Sequence, residues 1–195
     1  MKTLAAILAP AVGLLLASCG SVLQPVKDTS VNHLLDPLVP ESPLTASSPA
    51  IAIARPSLPG YLDRQQLVGR KPDGSLEMNN NHLWAEPLDT GVSRVTAANL
   101  SRLTRSINIQ PIENFITLDY SALVEIRISR FEPDSAGSLA LECTWKLQPV
   151  HGPASSPRPF KTTVPVLQPD PAMHARVAAM NEALAALARE ISRSL

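Results

Sequence analysis

Apolar residues recur at every second position over two stretches near the middle of the chain. Ala122, Val124, Ile126 and Ile128 alternate with Leu123, Glu125, Arg127 and Ser129. Leu139, Leu141, Cys143, Trp145 and Leu147 alternate with Ala140, Glu142, Thr144, Lys146 and Gln148. A turn through Pro133-Asp134-Ser135-Ala136-Gly137 joins the two, so the pattern predicts a β-hairpin with one dry and one wet face. Cys143 falls on the dry face and reads as a small buried hydrophobe, not a nucleophile. Phe160, Thr162, Val164 and Val166 form one more strand face, and Pro165, which has no N–H to donate, suits an edge. Upstream, Ile51 to Arg55 is a short strand. Gln66 to Arg70 returns through Pro72-Asp73-Gly74 to Ser75–Met78. Ile107, Ile109 and Phe115 to Leu118 suggest short extended pieces.

Two stretches carry the helical period instead. Leu88, Val92, Val95 and Leu103 share one face, and Pro87 suits a first turn, so a helix is expected from about Pro87 to Arg105. Asn99 lies within that apolar face, and a buried amide must find partners, most simply in a neighbouring loop. Met173, Val177, Met180, Leu184, Leu187 and Ile191 step by four and three, which predicts an amphipathic helix from Pro171 to Ser194 with Asp170 as its cap. Many alanines on its other sides permit close approach by a second surface. The elements together predict an α+β domain over residues 51–195: a small antiparallel or mixed sheet with both helices packed on one face. About 145 residues can bury roughly 68% of their surface, enough to fold without disulfides.

The first 50 residues follow neither period. Lys2 precedes an apolar run from Leu4 to Leu16, too short to span a bilayer but suited to an export signal. The run ends in Leu16-Ala17-Ser18-Cys19, which resembles a lipobox. That resemblance implies a signal peptide over residues 1–18 and a diacylglyceryl group on Cys19, which anchors firmly because each buried methylene adds roughly 0.8 kcal/mol. Residues 19–50 contain Pro25, Pro37, Pro40, Pro43 and Pro49 with many Ser and Thr, and read as a flexible tether. The other reading is an irregular segment packed on the domain or on a neighbour, with Val31, Leu34, Leu35 and Leu38 finding a groove.

Charge and composition narrow the function. There are 17 basic and 17 acidic residues, for a formal net charge of zero. A chain with no basic cluster is not built to bind nucleic acid. With Cys19 lipidated, Cys143 is left without a partner for an internal disulfide. His33, His82, His151 and His174 have no ligand neighbours at zinc-like spacing, so no metal site is expected. No phosphate loop or nucleophile elbow is present. The Asp63–Arg64 pair reads as an ordinary exposed one. No catalytic residue is assigned, and the chain is read as a non-enzymatic binding or scaffold module whose only prosthetic group is lipid on Cys19.

Three stretches together resemble the PqiC family of ABC-type transport auxiliary lipoproteins. They are Leu58-Pro59-Gly60-Tyr61-Leu62-Asp63-Arg64, Asn80-Asn81-His82-Leu83-Trp84-Ala85-Glu86-Pro87-Leu88, and Ala98-Asn99-Leu100. The resemblance covers about Ile51 to Ser194. It implies a lipid-trafficking role beside an inner-membrane permease and an MCE-domain protein that spans the periplasm. The lipoprotein would receive or brace the far end of that bridge, as single copies or as a ring. Gly20 after the cysteine, where Asp would favour retention, implies the periplasmic face of the outer membrane. On this resemblance Tyr61, Leu62, Asp63, Arg64 and Trp84 form an interface; otherwise they hold the fold. The rival functions are a carrier that encloses a lipid itself, and an envelope-assembly scaffold.

Overall fold

In chain order the computed structural model contains β1 (Val31–His33), β2 (Ile51–Ile53), β3 (Gln66–Arg70), β4 (Leu76–Trp84), α1 (Leu88–Thr104), β5 (Ile109–Pro111), β6 (Ala122–Pro133), β7 (Ser138–Pro149), β8 (Arg158–Pro165) and α2 (His174–Ser192). It describes residues 28–45, 49–114, 119–167 and 173–195. The expected signal and lipidation segment, residues 115–118 and the expected Asp170-Pro171 cap lie outside them.

The alternating stretches form the expected hairpin. β6 and β7 pair antiparallel, with Val124 opposite Leu147 and Ile128 opposite Cys143. The turn is set by Asp134, whose Oδ1 accepts the N–H groups of Ala136 (3.0 Å) and Ser138 (2.9 Å), and by Gly137 at φ 81°, a left-handed conformation that a side chain would strain. β8 pairs antiparallel with the far side of β7, and β2 and β5 add in parallel beyond β6, giving the order β5-β2-β6-β7-β8. Pro165 ends β8 on the open edge, as its missing donor requires.

A bulge between Ile128 and Arg130 inserts one residue into β6. The parity of inward positions therefore changes, from Val124, Ile126 and Ile128 to Phe131. Glu132, on the opposite side from Phe131, is nonetheless fully buried, because a second sheet covers that end of β6.

The α+β class is as expected, but the strands divide into two mixed sheets rather than one. The β3–β4 hairpin touches β6 through the isolated Arg70–Asp134 bridge and pairs along its other edge with β1. It therefore forms a separate three-stranded sheet, ordered β1-β4-β3.

Both helices lie side by side on one face of the larger sheet, α1 against β2 and β5, α2 against β6 to β8. α2 is buried almost all round: Ala183, Leu184, Ala185, Leu187 and Ala188 are fully covered. Its small side chains admit α1 and sheet together.

The tether expected over residues 19–50 requires correction over its described part, residues 28–45; residues 19–27 and 46–48 lie outside the described residues. Among the described residues, Val31–His33 form β1 in parallel register with His82–Trp84. Downstream, Leu35 and Val39 are core residues at 1% and 6% exposure, while Leu34 and Leu38 face outward. Leu35 packs against Gly91 of α1, where an added Cβ would touch Leu35 Cδ1 at 3.4 Å and crowd Glu86 Oε1 at 3.1 Å. Residues 31–45 thus form a strap across the domain, the second of the two readings.

Cys143 is buried on the dry face, and burial pushes its thiol up to about 12. At pH 8 only about one thiol in 10⁴ would then be thiolate, the reactive form. A colorimetric thiol reagent is expected to leave native protein unlabelled and to react once denaturant opens the fold. Rapid labelling of the native state would show that β7 opens locally.

Candidate interaction surface

The strap is held by side chains of α1. Arg94 Nη2 donates to the Leu35 carbonyl at 2.8 Å and pairs with Glu86 at 2.6 Å. The Val39 N–H donates to Asn99 Oδ1 at 3.0 Å, and Arg102 Nη1 donates to the Val39 carbonyl at 2.8 Å. Asn99 thus ties the helix to a neighbouring segment, as its place in an apolar face suggested. α2 adds one bond: the Asp36 N–H donates to Asn181 Oδ1 at 3.0 Å. At the far end the Thr45 N–H donates to the Arg105 carbonyl at 2.8 Å, and the Thr45 carbonyl accepts the Ile107 N–H at 3.0 Å. A segment with almost no strand or helix of its own is therefore fastened at Leu35, Asp36, Val39 and Thr45, which lie at intervals along it.

The five residues expected at an interface divide by burial. Leu62 and Trp84 belong to the core, at 3% and 8% exposure. With Leu67, Leu88, Met173 and Met180 they surround a void of about 10 Å³ beneath the small sheet, room for at most about one water. Tyr61 is half-buried and donates to Glu132 Oε2 at 2.8 Å. Asp63 is exposed, and Arg64 Nη1 turns to Met78 Sδ at 2.8 Å, so the two charges do not pair with each other. The structure brings the five to one corner of the domain: Leu62 and Trp84 are buried in it, Tyr61 and Arg64 are half-buried, with Arg64 Nε covered, and Asp63 is exposed.

Glu132 is the centre of that corner. Its Oε1 accepts from Arg70 Nε at 2.7 Å and Arg130 Nε at 3.0 Å. Its Oε2 accepts from Tyr61 and from the Phe131 N–H at 3.0 Å. All its acceptor directions are used, which is what permits a carboxylate at 0% exposure. Burial, with the adjoining Glu132 charge adding to it, pushes the Tyr61 hydroxyl up to about 12. The hydrogen bond to Glu132 holds Arg70 above its ordinary range. The network fastens the small sheet to the large one. Sequence reading missed Glu132, since a charged residue after an alternating run gives no sign of being covered on both faces.

A second constellation was also missed. His33 Nε2 lies 2.8 Å from His82 Nδ1, and the His174 ring stands edge-on to His33 with centroids 5.4 Å apart. The three come from β1, β4 and the first turn of α2. Among the described residues, no group of three His, Cys, Asp or Glu is arranged to hold a metal ion.

On the wet face of the large sheet, Arg55, Leu123, Glu125, Arg127, Thr144 and Lys146 line an open groove of about 650 Å³. Its charges are largely answered: Lys146 pairs with Glu125 at 3.0 Å, and Arg55 with Glu113. Among the described residues no helix is long and apolar enough to cross a membrane.

Comparison with known proteins places these features in a family. The model of the ABC-type transport auxiliary lipoprotein component matches residues 33–192, a span that begins within the strap. A solved but uncharacterised protein superposes with a TM-score of 0.69 at 20% identity, covering 85% of this chain and 98% of the other. A Xanthomonas campestris protein of family DUF330 superposes with a TM-score of 0.63 at 21% identity, covering 83% and 92%. At these identities the two show a shared fold. No curated protein matches the chain.

Proposed function

The chain belongs to the ABC-type transport auxiliary lipoprotein family, and from that premise we propose that it is the non-catalytic, lipid-anchored subunit of an MCE-type intermembrane lipid transporter. Lipid on Cys19 holds it at the periplasmic face of the outer membrane, where it docks or braces the periplasm-spanning MCE-domain protein served by an inner-membrane permease. Copies arranged as a ring would suit such a brace.

The observation that carries this reading is the strap. A lipid on Cys19 would lie only 12 residues before Val31, a distance of at most about 40 Å along the chain. From Val31 onward the chain is fastened to the small sheet and both helices. Load on the anchor therefore passes into the folded body, as a brace requires. The void beneath Trp84 admits about one water, far below the several hundred Å³ that a lipid-sized ligand needs, so a carried lipid would have to lie in the open groove on the wet face of the large sheet.

The test is co-purification. The lipidated chain, extracted in mild detergent, is expected to bring down an MCE-domain protein, and Asp63→Arg at the exposed corner to reduce the yield several-fold without changing circular dichroism. A chain that isolates alone, with phospholipid bound to a monomer, would favour the carrier. Cys19→Ala is expected to move the protein from the membrane to the soluble fraction and to abolish labelling by radioactive palmitate, with the spectrum of the domain unchanged. Loss of that spectrum would refute the separation of anchor from fold.

A further inference from the structure

We propose that the outward side of the strap docks on the membrane surface, seating its apolar side chains among the lipid headgroups and fixing which way the domain faces. This docking rests on the lipid at Cys19. Among the described residues nine large hydrophobic side chains are exposed. Val31, Leu34, Leu38 and Leu44 belong to the strap, at 40–43% exposure. Ile107, at 46%, lies beside the strap's far end, where its N–H donates to the Thr45 carbonyl. The other four lie apart, on β4, just past β7, after β8 and at the end of the chain. Single apolar residues are ordinary on a surface, but five gathered along one segment mark a contact. The strap cannot turn them inward, because its inward side is already committed: Leu35 and Val39 are buried, and Arg94, Asn99 and Arg102 hold the backbone beside them.

What covers this line follows from where the chain is anchored. Cys19 lies 12 residues before Val31, so a lipid there keeps Val31 within about 40 Å of the bilayer. A tether that short holds the surface at an effective concentration in the millimolar range, where weak affinity suffices. Five side chains are few beside the roughly 20–30 residues a side of a stable protein interface, but enough to rest at the boundary between headgroups and acyl chains. Charge does not draw the strap there. Glu41 is answered by Arg102 at 3.1 Å and Glu86 by Arg94 at 2.6 Å. Along the strap the exposed charges left over are Asp28, Asp36 and Arg105, a slight negative excess. The attraction is therefore apolar, and salt does not screen it. α1 separates the strap from the large sheet: Gly91, Arg94 and Arg102 meet the strap from one side of the helix, and the fully buried Val92 and Leu100 face the other way. With the strap on the membrane, the wet face of the sheet and its groove look away from the bilayer.

The full-length lipidated chain would be reconstituted into vesicles of phosphatidylcholine, with and without phosphatidylglycerol. Single introduced cysteines would carry a nitrobenzoxadiazole probe, and the buried Cys143 does not compete for the label. Spin-labelled lipid is expected to quench probes at Leu38→Cys and Leu44→Cys several-fold more than one at Thr144→Cys, which is exposed on the wet face. The result should be alike in both lipids and in high salt. Leu34→Ser with Leu38→Ser should lower the quenching of an Ile107→Cys probe several-fold, with circular dichroism and sedimentation with the vesicles unchanged. Strap probes as open to water as the Thr144 probe, on protein that still sediments with the vesicles, would overturn the docking and leave the anchor standing. Protein that does not sediment with the vesicles at all would overturn both. Strap probes shielded from water yet untouched by the lipid quencher would mean that a second copy covers the line, and would also overturn the docking.

Discussion

Replacing Glu132 with alanine is expected to destabilise the domain by about 3 kcal/mol, the lower end of what breaking a buried ion pair costs. The carboxylate is fully covered while Arg70 and Arg130 remain about a third exposed, at 32% and 30%, so water relieves part of the loss on their side. Nothing relieves the Phe131 N–H, which is buried and donates to Glu132. Two guanidinium groups that shared one anion would also be left facing each other. At roughly 2–4 °C per kcal/mol for a chain of this size, the thermal midpoint should fall by about 6–12 °C. Tyr61→Phe removes the hydroxyl that donates to the Glu132 carboxylate and should cost about 1.5–3 kcal/mol, the range for hydrogen bonds to charged groups. The double variant should cost less than the sum, because both changes disable one network. Strict additivity, or a midpoint within about 2 °C of the parent in Glu132→Ala, would show that the two sheets are held together by something else. Alkaline titration gives a second check. Folded Tyr61 holds its proton up to about 12, above the ordinary tyrosine value near 10, so its contribution is complete below pH 10 and is lost as pH rises toward 12. In Glu132→Ala the corresponding absorbance change should begin at lower pH.

What was legible in the chain was whatever one face of one element decides. In β6 and β7 each inward position meets the same dry layer, so alternation alone fixes the hairpin, its turn and the burial of Cys143. In α2 the steps of four and three announce the helix. The alternation stops being readable at Ser129, where a bulge changes parity and a second sheet begins to cover the outward side; Glu132 lies just past that point. The strap was hidden for a related reason. Its bonds come from Arg94, Asn99 and Arg102, about 60 positions away, and its own composition of Pro, Ser and Thr is that of a linker. The one local sign was at the other end of the contact: an asparagine in an apolar helical face needs a partner. Resemblance singled out Tyr61, Leu62 and Trp84; Leu62 and Trp84 are buried in the core, and Tyr61 is half-buried over Glu132. The histidine cluster joins positions 33, 82 and 174, and no spacing rule reaches that far.

Leucines 34, 35 and 38 provide a test of the strap within a few residues of one another. Leu35 is 1% exposed, whereas Leu34 and Leu38 are 42% and 43% exposed. Truncating Leu35 to alanine removes methyl groups packed against Gly91 and leaves a space that the surrounding helix and strap can only partly close. The expected loss is about 2–4 kcal/mol, within the range for buried leucines. The same substitution at Leu34 or Leu38 should stay within about 0.5 kcal/mol, because no packed surroundings are disturbed. A free tether predicts something different, namely three neutral substitutions, since a chain in water loses nothing by shortening a side chain. Denaturant titration of the three variants decides between them by midpoint alone, provided the slope is unchanged. The mechanical consequence follows the same order. If Leu35 is the peg that seats the strap beneath the arginines of α1, Leu35→Ala should raise hydrogen exchange at the Asp36 and Val39 amides well before it affects β6 and β7. On the proposed bracing role, load from a lipid on Cys19 would then be spent on peeling the strap instead of reaching the body, and a brace that peels transmits little.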